Sequence, residues 1–138
     1  FLKLIRSSLR VLRYGLPVDD FTRGAALPGV PTQVWSIKKN VEDTSHSYMV
    51  VSFVDSTLVL SVGEHVREIK DSGFSTRRQT LYVVTLAGGA GHAQVHAEGI
   101  LMVLPGKERT EWKPPIGKLI KHAAGNEKQI VVALEGGT

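Results

Sequence analysis

The stretch LVLSVG at residues 58–63 decides the fold, because it is one of three copies of a short apolar strand that ends at a glycine. The other copies are LRVLRYG at residues 9–15 and LMVLPG at residues 101–106. An apolar opening strand also recurs, at residues 34–37, 81–84 and 119–120. A repeat of about 40 to 50 residues is the period of four-stranded propeller blades.

Strand signals cover most of the chain, whereas helical periodicity is almost absent. Short runs rich in Val, Ile, Leu, Thr and Tyr alternate with Gly, Pro, Asn, Asp and Ser, which is typical of antiparallel hairpins. We predict twelve strands, the first of which begins at Ser8. They span residues 8–14, 17–23, 33–39, 47–54, 57–62, 64–69, 80–86, 92–97, 99–104, 107–112, 118–124 and 128–134.

The predicted strands group into complete and partial blades. Residues 33–69 and 80–112 each form a full blade, residues 6–27 end the blade before them, and residues 118–138 begin a further blade. Closed propellers typically have four to eight blades. We therefore predict an all-β, WD-repeat-like β-propeller that is incomplete, with about three blades' worth of antiparallel four-stranded sheets, cut from a longer chain. A β-sandwich also has many short strands, but it does not require the repeat.

The polarity of the strands changes in order within one repeat. Residues 48–54 are apolar on both faces, whereas residues 64–69 alternate charged and apolar side chains. A strand that is apolar on both faces is covered on both sides, and an alternating strand lies at a rim. This gradient is what stacked blades produce.

Composition excludes several classes of protein. The 138 residues include no cysteine, which rules out disulfides, thiol nucleophiles and cysteine-based zinc sites, and fits a reducing compartment. No apolar run approaches the ~20 residues of a membrane-spanning helix, so we predict no membrane contact. The net charge of +4 favours acidic partners or nucleic acid, but the basic residues are scattered.

The histidines do not predict a metal site. His92 and His96 share a strand face, but four residues of strand separate them by about 13 Å, too far for one ion. The remaining three are isolated in the sequence and are interpreted as surface or interface residues: His46, His65 and His122.

Catalytic and cofactor-binding patterns are also missing. Three pairs of carboxylates are considered for acid and base catalysis, and none is predicted to be catalytic: Asp19 and Asp20, Glu42 and Asp43, Glu64 and Glu68. The first two pairs lie in polar, turn-like stretches, where solvation explains them. No serine lies in the strand-to-helix elbow of a hydrolase. The glycine-rich segment at residues 88–91 lacks the Lys-Ser/Thr of a phosphate loop and is predicted to be a flexible blade loop. We predict that the protein is not an enzyme and has no cofactor.

Nucleic-acid binding needs basic residues beside exposed aromatic side chains. Trp112 sits at a strand end. Four other aromatic residues fall in apolar strands and are predicted to lie in the core: Trp35, Tyr48, Phe53 and Tyr82. The candidate phosphate contacts are Arg77, Arg78, Lys107 and Arg109.

The segment RSSLRVLRYGL at residues 6–16 resembles the large propeller subunits of splicing factor 3b. The resemblance continues through residues 27–29, 34–35, 50–54, 57–64, 71–74, 111–113 and 129–134. Residues 1–5 do not match, and Arg77, Arg78 and residues 105–107 are individual to this sequence. Residues 27–29, 52–54 and 111–113 are shared with the damaged-DNA-binding adaptor of cullin ubiquitin ligases and mark only the superfamily, which also includes the large cleavage and polyadenylation subunit.

The resemblance implies a piece of the central one of three propellers in a nuclear scaffold without catalytic residues. Members of that family hold a helical-repeat subunit and a small companion subunit in the U-two small nuclear ribonucleoprotein, mainly through their outer propellers, and support branch-site recognition. Contact with RNA is expected to be indirect or weak. The alternatives are an adaptor of a cullin ligase or of mRNA 3'-end processing, and a propeller that binds nucleic acid directly.

Overall fold

The residues that the computed structural model describes contain thirteen strands and one short 3-10 turn. These residues are 2–5, 8–11, 19–20, 29–38, 48–62, 66–106 and 108–136. The strands are β1 (Leu2–Ile5), β2 (Ser8–Val11), β3 (Asp19–Asp20), β4 (Gln33–Ile37), β5 (Tyr48–Ser52), β6 (Thr57–Val62), β7 (Val66–Glu68), β8 (Tyr82–Leu86), β9 (Gly91–His96), β10 (Gly99–Val103), β11 (Arg109–Trp112), β12 (Ile120–Gly125) and β13 (Ile130–Leu134).

Each sheet is an antiparallel meander in which consecutive strands pair. Sheet 1 contains β1–β3, sheet 2 contains β4–β7, sheet 3 contains β8–β11 and sheet 4 contains β12–β13. Asp55 and Ser56, the two residues between the predicted strands 47–54 and 57–62, lie in the turn between β5 and β6. The Phe53 amide donates to the Ser56 carbonyl at 2.8 Å. A four-stranded meander is the unit of a propeller blade.

Sheets 2 and 3 pack face to face across one hydrophobic cluster. Sheet 2 contributes Ile37, Val50 and Val59, and sheet 3 contributes Val83, Leu101 and Val103. Phe74, from the connection between the sheets, is buried among them. Burying each large apolar side chain stabilises the fold by about 1.5–3 kcal/mol. Successive sheets therefore share a core, as stacked blades do.

In sheets 2 and 3, burial falls from the middle strands towards the last strand of each sheet. In β5 every residue after Tyr48 is buried, and Met49 and Val51 join a second apolar cluster on the other face. In β7 the last two residues are exposed, and all four residues of β11 are exposed. The sequence predicted this gradient from the switch between continuous and alternating apolar residues.

Five segments share one end of the sheets, which we call the turn face. It carries the β5–β6 turn (residues 53–56), the β9–β10 turn (residues 97–98) and the segments that lead into β4, β8 and β12. Antiparallel pairing places both turns at the same end of their sheets. Hydrogen bonds place the segments there, because the Thr32 amide donates to the Ser52 carbonyl and the Ile120 amide to the Ala97 carbonyl, each at 2.8 Å.

A buried polar network joins sheets 2 and 3 at the turn face. The Gln94 side chain donates from Nε2 to Thr80 Oγ1 at 2.8 Å, and the hydroxyls of Thr80 and Thr57 lie 2.6 Å apart. The Thr57 hydroxyl donates to the Arg78 carbonyl at 2.6 Å, so the Thr80 hydroxyl is the donor towards Thr57. The three bonds therefore run in one direction and polarise one another.

The same network holds the connection between the sheets. Gln94 accepts from the Ser75 amide at 2.8 Å and donates to the Ser75 carbonyl at 2.9 Å. The Thr80 amide donates to Ser52 Oγ at 2.9 Å, and the Thr57 amide to the Thr76 carbonyl at 2.9 Å. Residues 75–80 form no strand, yet their backbone is tied to both sheets.

The glycine-rich loop between β8 and β9 is compact. Ala87–Gly89 forms a 3-10 turn, and Gly91 begins β9 with φ 102°. A Cβ at Gly91 would overlap the carbonyl oxygen of Val103, so this position requires glycine. In the part of the chain that the structure describes, no helix is long and apolar enough to cross a membrane.

One strand differs from the sequence prediction. Leu2–Ile5 forms β1 and pairs with β2 in the register Leu2 to Val11, although no strand was predicted before Ser8. The alternation of Leu2, Lys3 and Leu4 is a strand pattern, and the hairpin partner lies directly after it. The twelve predicted strands are therefore one short for sheet 1.

We predict that Thr80→Val destabilises the junction of sheets 2 and 3 by about 1–3 kcal/mol, because valine keeps the shape of threonine but removes the acceptor of one Gln94 Nε2 proton and the donor to the Thr57 hydroxyl. The measurement is the denaturant dependence of hydrogen exchange in the full-length protein, read on β5, β6, β8 and β9.

Thr110→Val is the matched control, since Thr110 is exposed on β11. It should change the opening free energy by less than about 0.5 kcal/mol. Equal effects of the two substitutions would show that the network does not hold the sheets together.

Candidate interaction site on the turn face

A cluster of ionisable side chains surrounds a buried histidine at the turn face. Arg78 Nη1 lies 3.1 Å from Glu98 Oε2 and 3.3 Å from His96 Nδ1. On the other side of the ring, His96 Nε2 lies 3.0 Å from Glu111 Oε1. His96 itself is 1% exposed, whereas the arginine and both glutamates reach solvent.

The hydrogen bonds assign the tautomer of His96. The Glu98 amide donates to His96 Nδ1 at 3.2 Å, so Nδ1 carries no proton. The proton is on Nε2, from which it is donated to the Glu111 carboxylate. The ring is therefore neutral, with a partner for each nitrogen.

Burial lowers the pKa of His96 below its usual value of 6.5, and the positive charge of Arg78 lowers it further. Glu111 and Glu98 act in the opposite direction but do not offset these effects. The exposed Arg78–Glu98 pair contributes at most about 1 kcal/mol, because water screens it. The cluster's main effect is to fix the β9–β10 turn against the segment entering β8.

Backbone constraints bring the four side chains together. His96 ends β9, Glu98 lies in the following turn, and Glu111 is opposite Leu101 in β11. The Arg78 carbonyl accepts from Thr57 of sheet 2, and the Arg78 side chain reaches from there to His96 and Glu98 of sheet 3. Sequence reasoning assessed His96 only as a metal ligand, because β9 reads GHAQVH and has no apolar run that would mark this histidine as buried.

The candidate phosphate contacts do not form one basic patch among the described residues. Arg77 is exposed at the turn face, and the Arg78 guanidinium faces Glu98 and His96. Arg109 is opposite Val103 at the other end of sheet 3. Lys107 lies outside the described residues.

Two of the five histidines, His46 and His65, lie outside the described residues, and His122 is exposed. His92 shares a face of β9 with His96 and contacts the ring of Phe74, with 5.8 Å between centroids. Within the described ranges, no three His, Cys, Asp or Glu side chains are grouped as metal ligands.

The carboxylates and serines considered for catalysis are dispersed. Asp19 and Asp20 pair with β2, Glu68 lies at the rim on β7, and the other predicted carboxylates are outside the described residues. The Ser75 backbone amide and carbonyl form hydrogen bonds with the Gln94 side chain.

Among the aromatic residues, Phe53 is buried as predicted, Trp35, Tyr48 and Tyr82 are half-buried, and Trp112 is 46% exposed.

A cleft of about 1270 Å³ opens between sheets 2 and 3 at the end opposite the turn face. Its wall includes Tyr48, Arg67, His92 and the Gly88–Gly89 backbone. Cationic and anionic side chains line it together, since Lys70 and Asp71 are neighbours on its edge.

We predict that protonating His96 loosens the turn face. Because the folded-state pKa is lowered, the unfolded chain binds more protons below about pH 6.5, so stability is present at pH 7 and falls as the pH drops through 6.5. Hydrogen exchange on residues 91–103 of the full-length protein, measured from pH 7.5 to 5.5 and corrected for intrinsic rates, should show this loss.

His96→Gln removes the titrating group and should flatten the profile, whereas His122→Gln changes an exposed histidine and should leave the profile as it is. A profile that does not depend on residue 96 would contradict the assignment.

A protein-family model described as the RSE1/DDB1/CPSF1 second beta-propeller matches residues 23–138. The match covers both four-stranded sheets, sheets 2 and 3, and the two-stranded sheet 4 that follows them. It confirms the predicted fold class, an incomplete β-propeller, and accounts for the shared core between consecutive sheets.

The chain is also similar to curated splicing proteins. It is 46% identical over 132 residues to splicing factor 3B subunit 3 of Danio rerio and 44% identical over 131 residues to that of Drosophila melanogaster. It is 42% identical over 131 residues to pre-mRNA-splicing factor prp12 of Schizosaccharomyces pombe. These alignments cover 96%, 95% and 95% of the chain but only 11%, 10% and 11% of the relatives. With the resemblance at residues 6–16 thus confirmed, the chain belongs to the RSE1/DDB1/CPSF1 family as part of its second β-propeller.

Proposed function

We propose that this chain is part of a noncatalytic protein-interaction scaffold of the splicing factor 3b complex, which acts in the nucleus in pre-mRNA splicing. The observation that carries the proposal is the 42–46% identity to splicing proteins of animals, plants and fungi over nearly the whole chain. Fold alone does not specify function, so the proposal depends on this identity.

The geometry supports a scaffold in a second way. Polar side chains with unusual environments, Gln94, Thr80 and His96, are used to hold sheets and turns together. A catalytic site would need such groups to face a substrate. Here the hydrogen-bonding atoms of these side chains are bonded to other groups of the fold. The proposal is that the parent protein presents rigid surfaces to other subunits and performs no reaction.

The finer parts of the proposal concern partners and blades. The partners are the helical-repeat subunit and the small companion subunit of splicing factor 3b, held mainly by other propellers of the parent chain. Residues 33–69 and 80–112 each form one blade, between the end of a blade at 6–27 and the start of another at 118–138. The strands of sheets 2 and 3 fall within the two middle ranges.

We predict that the tagged full-length protein, expressed at its natural level in its own cells, co-purifies with the other splicing factor 3b subunits. Quantitative mass spectrometry of the purified complex is the measurement. Reproducible recovery of a cullin, or of the 3'-end processing factors, without splicing subunits would assign the chain to one of the other branches of the family.

Direct binding of nucleic acid by this propeller is the alternative function, and it predicts a measurable dependence on salt. Each lost phosphate contact changes the slope of log K against log salt by roughly one. We expect Arg77→Glu and Arg109→Glu to leave the slope for single-stranded RNA unchanged, because Arg77 lies at the turn face and Arg109 at the other end of β10 and β11, so that they form no common basic patch.

The measurement is the affinity of the full-length protein for single-stranded RNA over a range of salt, with Glu108→Gln as a control at an exposed neighbouring position. A slope that becomes clearly shallower in either arginine variant, but not in the control, would support direct binding by this propeller.

A further inference from the structure

The Nδ1 atom of His96 is surrounded by hydrogen-bond donors. The Glu98 amide nitrogen lies 3.2 Å from Nδ1, and Arg78 Nη1 lies 3.3 Å from it. A backbone N–H and a guanidinium can only donate. Both contacts therefore require an unprotonated Nδ1, which the neutral ring provides when its proton is on Nε2.

Adding a proton reverses the role of Nδ1. The atom becomes a donor that faces two other donors, so its contacts with Arg78 and with the Glu98 amide are both lost. The imidazolium also repels the guanidinium, whose Nη1 is 3.3 Å from Nδ1. Nε2 keeps its role, since it already donates to Glu111 at 3.0 Å. The change is therefore confined to the side of the ring where Arg78 lies.

The Glu98 carboxylate is the acceptor available on that side. Its Oε2 lies 3.1 Å from Arg78 Nη1, the same atom that contacts His96 Nδ1. The Glu98 side chain is 62% exposed and belongs to the turn that directly follows His96, so it can rotate towards the ring without displacing a packed group. A charge-assisted hydrogen bond from Nδ1 to this carboxylate satisfies the new donor.

Arg78 is the group that can leave the cluster. Its side chain is 45% exposed, and its long apolar stem lets the guanidinium move into water. The Arg78 carbonyl stays bound to the Thr57 hydroxyl at 2.6 Å, because that bond involves only the backbone of the arginine. Release of the side chain thus leaves the polar network between sheets 2 and 3 in place.

The charges around the ring favour this exchange of partners. Within the described residues, three charged groups act on His96: Arg78 from the segment that enters β8, Glu98 from the β9–β10 turn and Glu111 from β11. When the ring is protonated, two cations compete for the two carboxylates. Water cannot solvate the buried imidazolium, but it can solvate the guanidinium. The imidazolium therefore takes both carboxylates.

We propose that His96 is a proton-sensitive switch, in which protonation of Nδ1 transfers the Glu98 carboxylate from Arg78 to His96 and releases the Arg78 guanidinium to solvent. In the neutral state, Arg78 links the segment that enters β8 to the β9–β10 turn. In the protonated state, the turn face presents a guanidinium that an anionic group can bind. The inference concerns this chain by itself and stands whether or not the scaffold function does.

The experiment compares the rates at which a 1,2-dicarbonyl reagent modifies Arg78 and Arg77 in the full-length protein, read by mass spectrometry. Arg77 is adjacent and exposed, so the ratio of the two rates removes the pH dependence of the reagent itself. We expect the ratio to rise by roughly twofold or more from pH 7.5 to 5.0, because the pKa of His96 is lowered from 6.5 and the proton binds below that pH. A constant ratio would overturn the proposal.

Two variants distinguish the switch from a general loosening of the turn. Glu98→Gln removes the carboxylate for which the two cations compete, so Arg78 should be modified faster than in the wild type already at pH 7.5. His96→Gln places a neutral side chain there at every pH, so the ratio should stay low and constant. His122→Gln is the matched control, because it removes an exposed histidine, and its ratio should follow that of the wild type.

Hydrogen exchange in β5, recorded in the same samples, separates the switch from acid unfolding. The proposal requires the ratio to rise while β5 stays protected. A rise that accompanies loss of protection in β5, a rise that persists in His96→Gln, or unchanged modification of Arg78 in Glu98→Gln would each contradict it. Because Glu98 is exposed, the Glu98→Gln result decides the question even where His96→Gln does not fold.

Discussion

One chain of hydrogen bonds, from Gln94 through Thr80 to Thr57, governs the arrangement of the two complete sheets. Hydrophobic contact between Val50, Val59 and Val83 pulls the sheets together but has no direction. The polar groups do have direction, and leaving one of them buried without a partner costs about 1–3 kcal/mol. Displacing one sheet against the other would break these bonds, so the network sets one docking geometry.

Features at the turn face follow from this constraint. The Arg78 carbonyl is the last acceptor of the chain, so the network also positions the side chain that contacts His96 and Glu98. The β9–β10 turn is fixed in consequence, and the Ala97 carbonyl receives the Ile120 amide that starts sheet 4.

Much of the fold could be predicted from sequence because a blade repeats and its turns are marked by particular residues. Residues 58–63 and 101–106 identified β6 and β10, and the pattern of β5 indicated burial on both faces. The strand Leu2–Ile5 was not predicted although it alternates, because it lies outside both the repeated segments and the segments that resemble the family.

The candidate site was less predictable, because it is built from contacts between distant residues. Thr57, Thr80 and Gln94 are ordinary polar residues in the sequence, and nothing local shows that they meet. Arg78 was predicted as a phosphate contact because Arg77 is its neighbour, but its guanidinium pairs with the carboxylate of Glu98, twenty positions later in the sequence.

The most direct test of the account is the exchange rate of the backbone amides in residues 75–80, which belong to no strand. The account predicts that the amides of Ser75 and Thr80, bound to Gln94 and Ser52, exchange as slowly as those in β5 and β9 of the full-length protein. Exchange at the rate of an open loop would contradict it, because the two sheets would then be held by apolar contact alone.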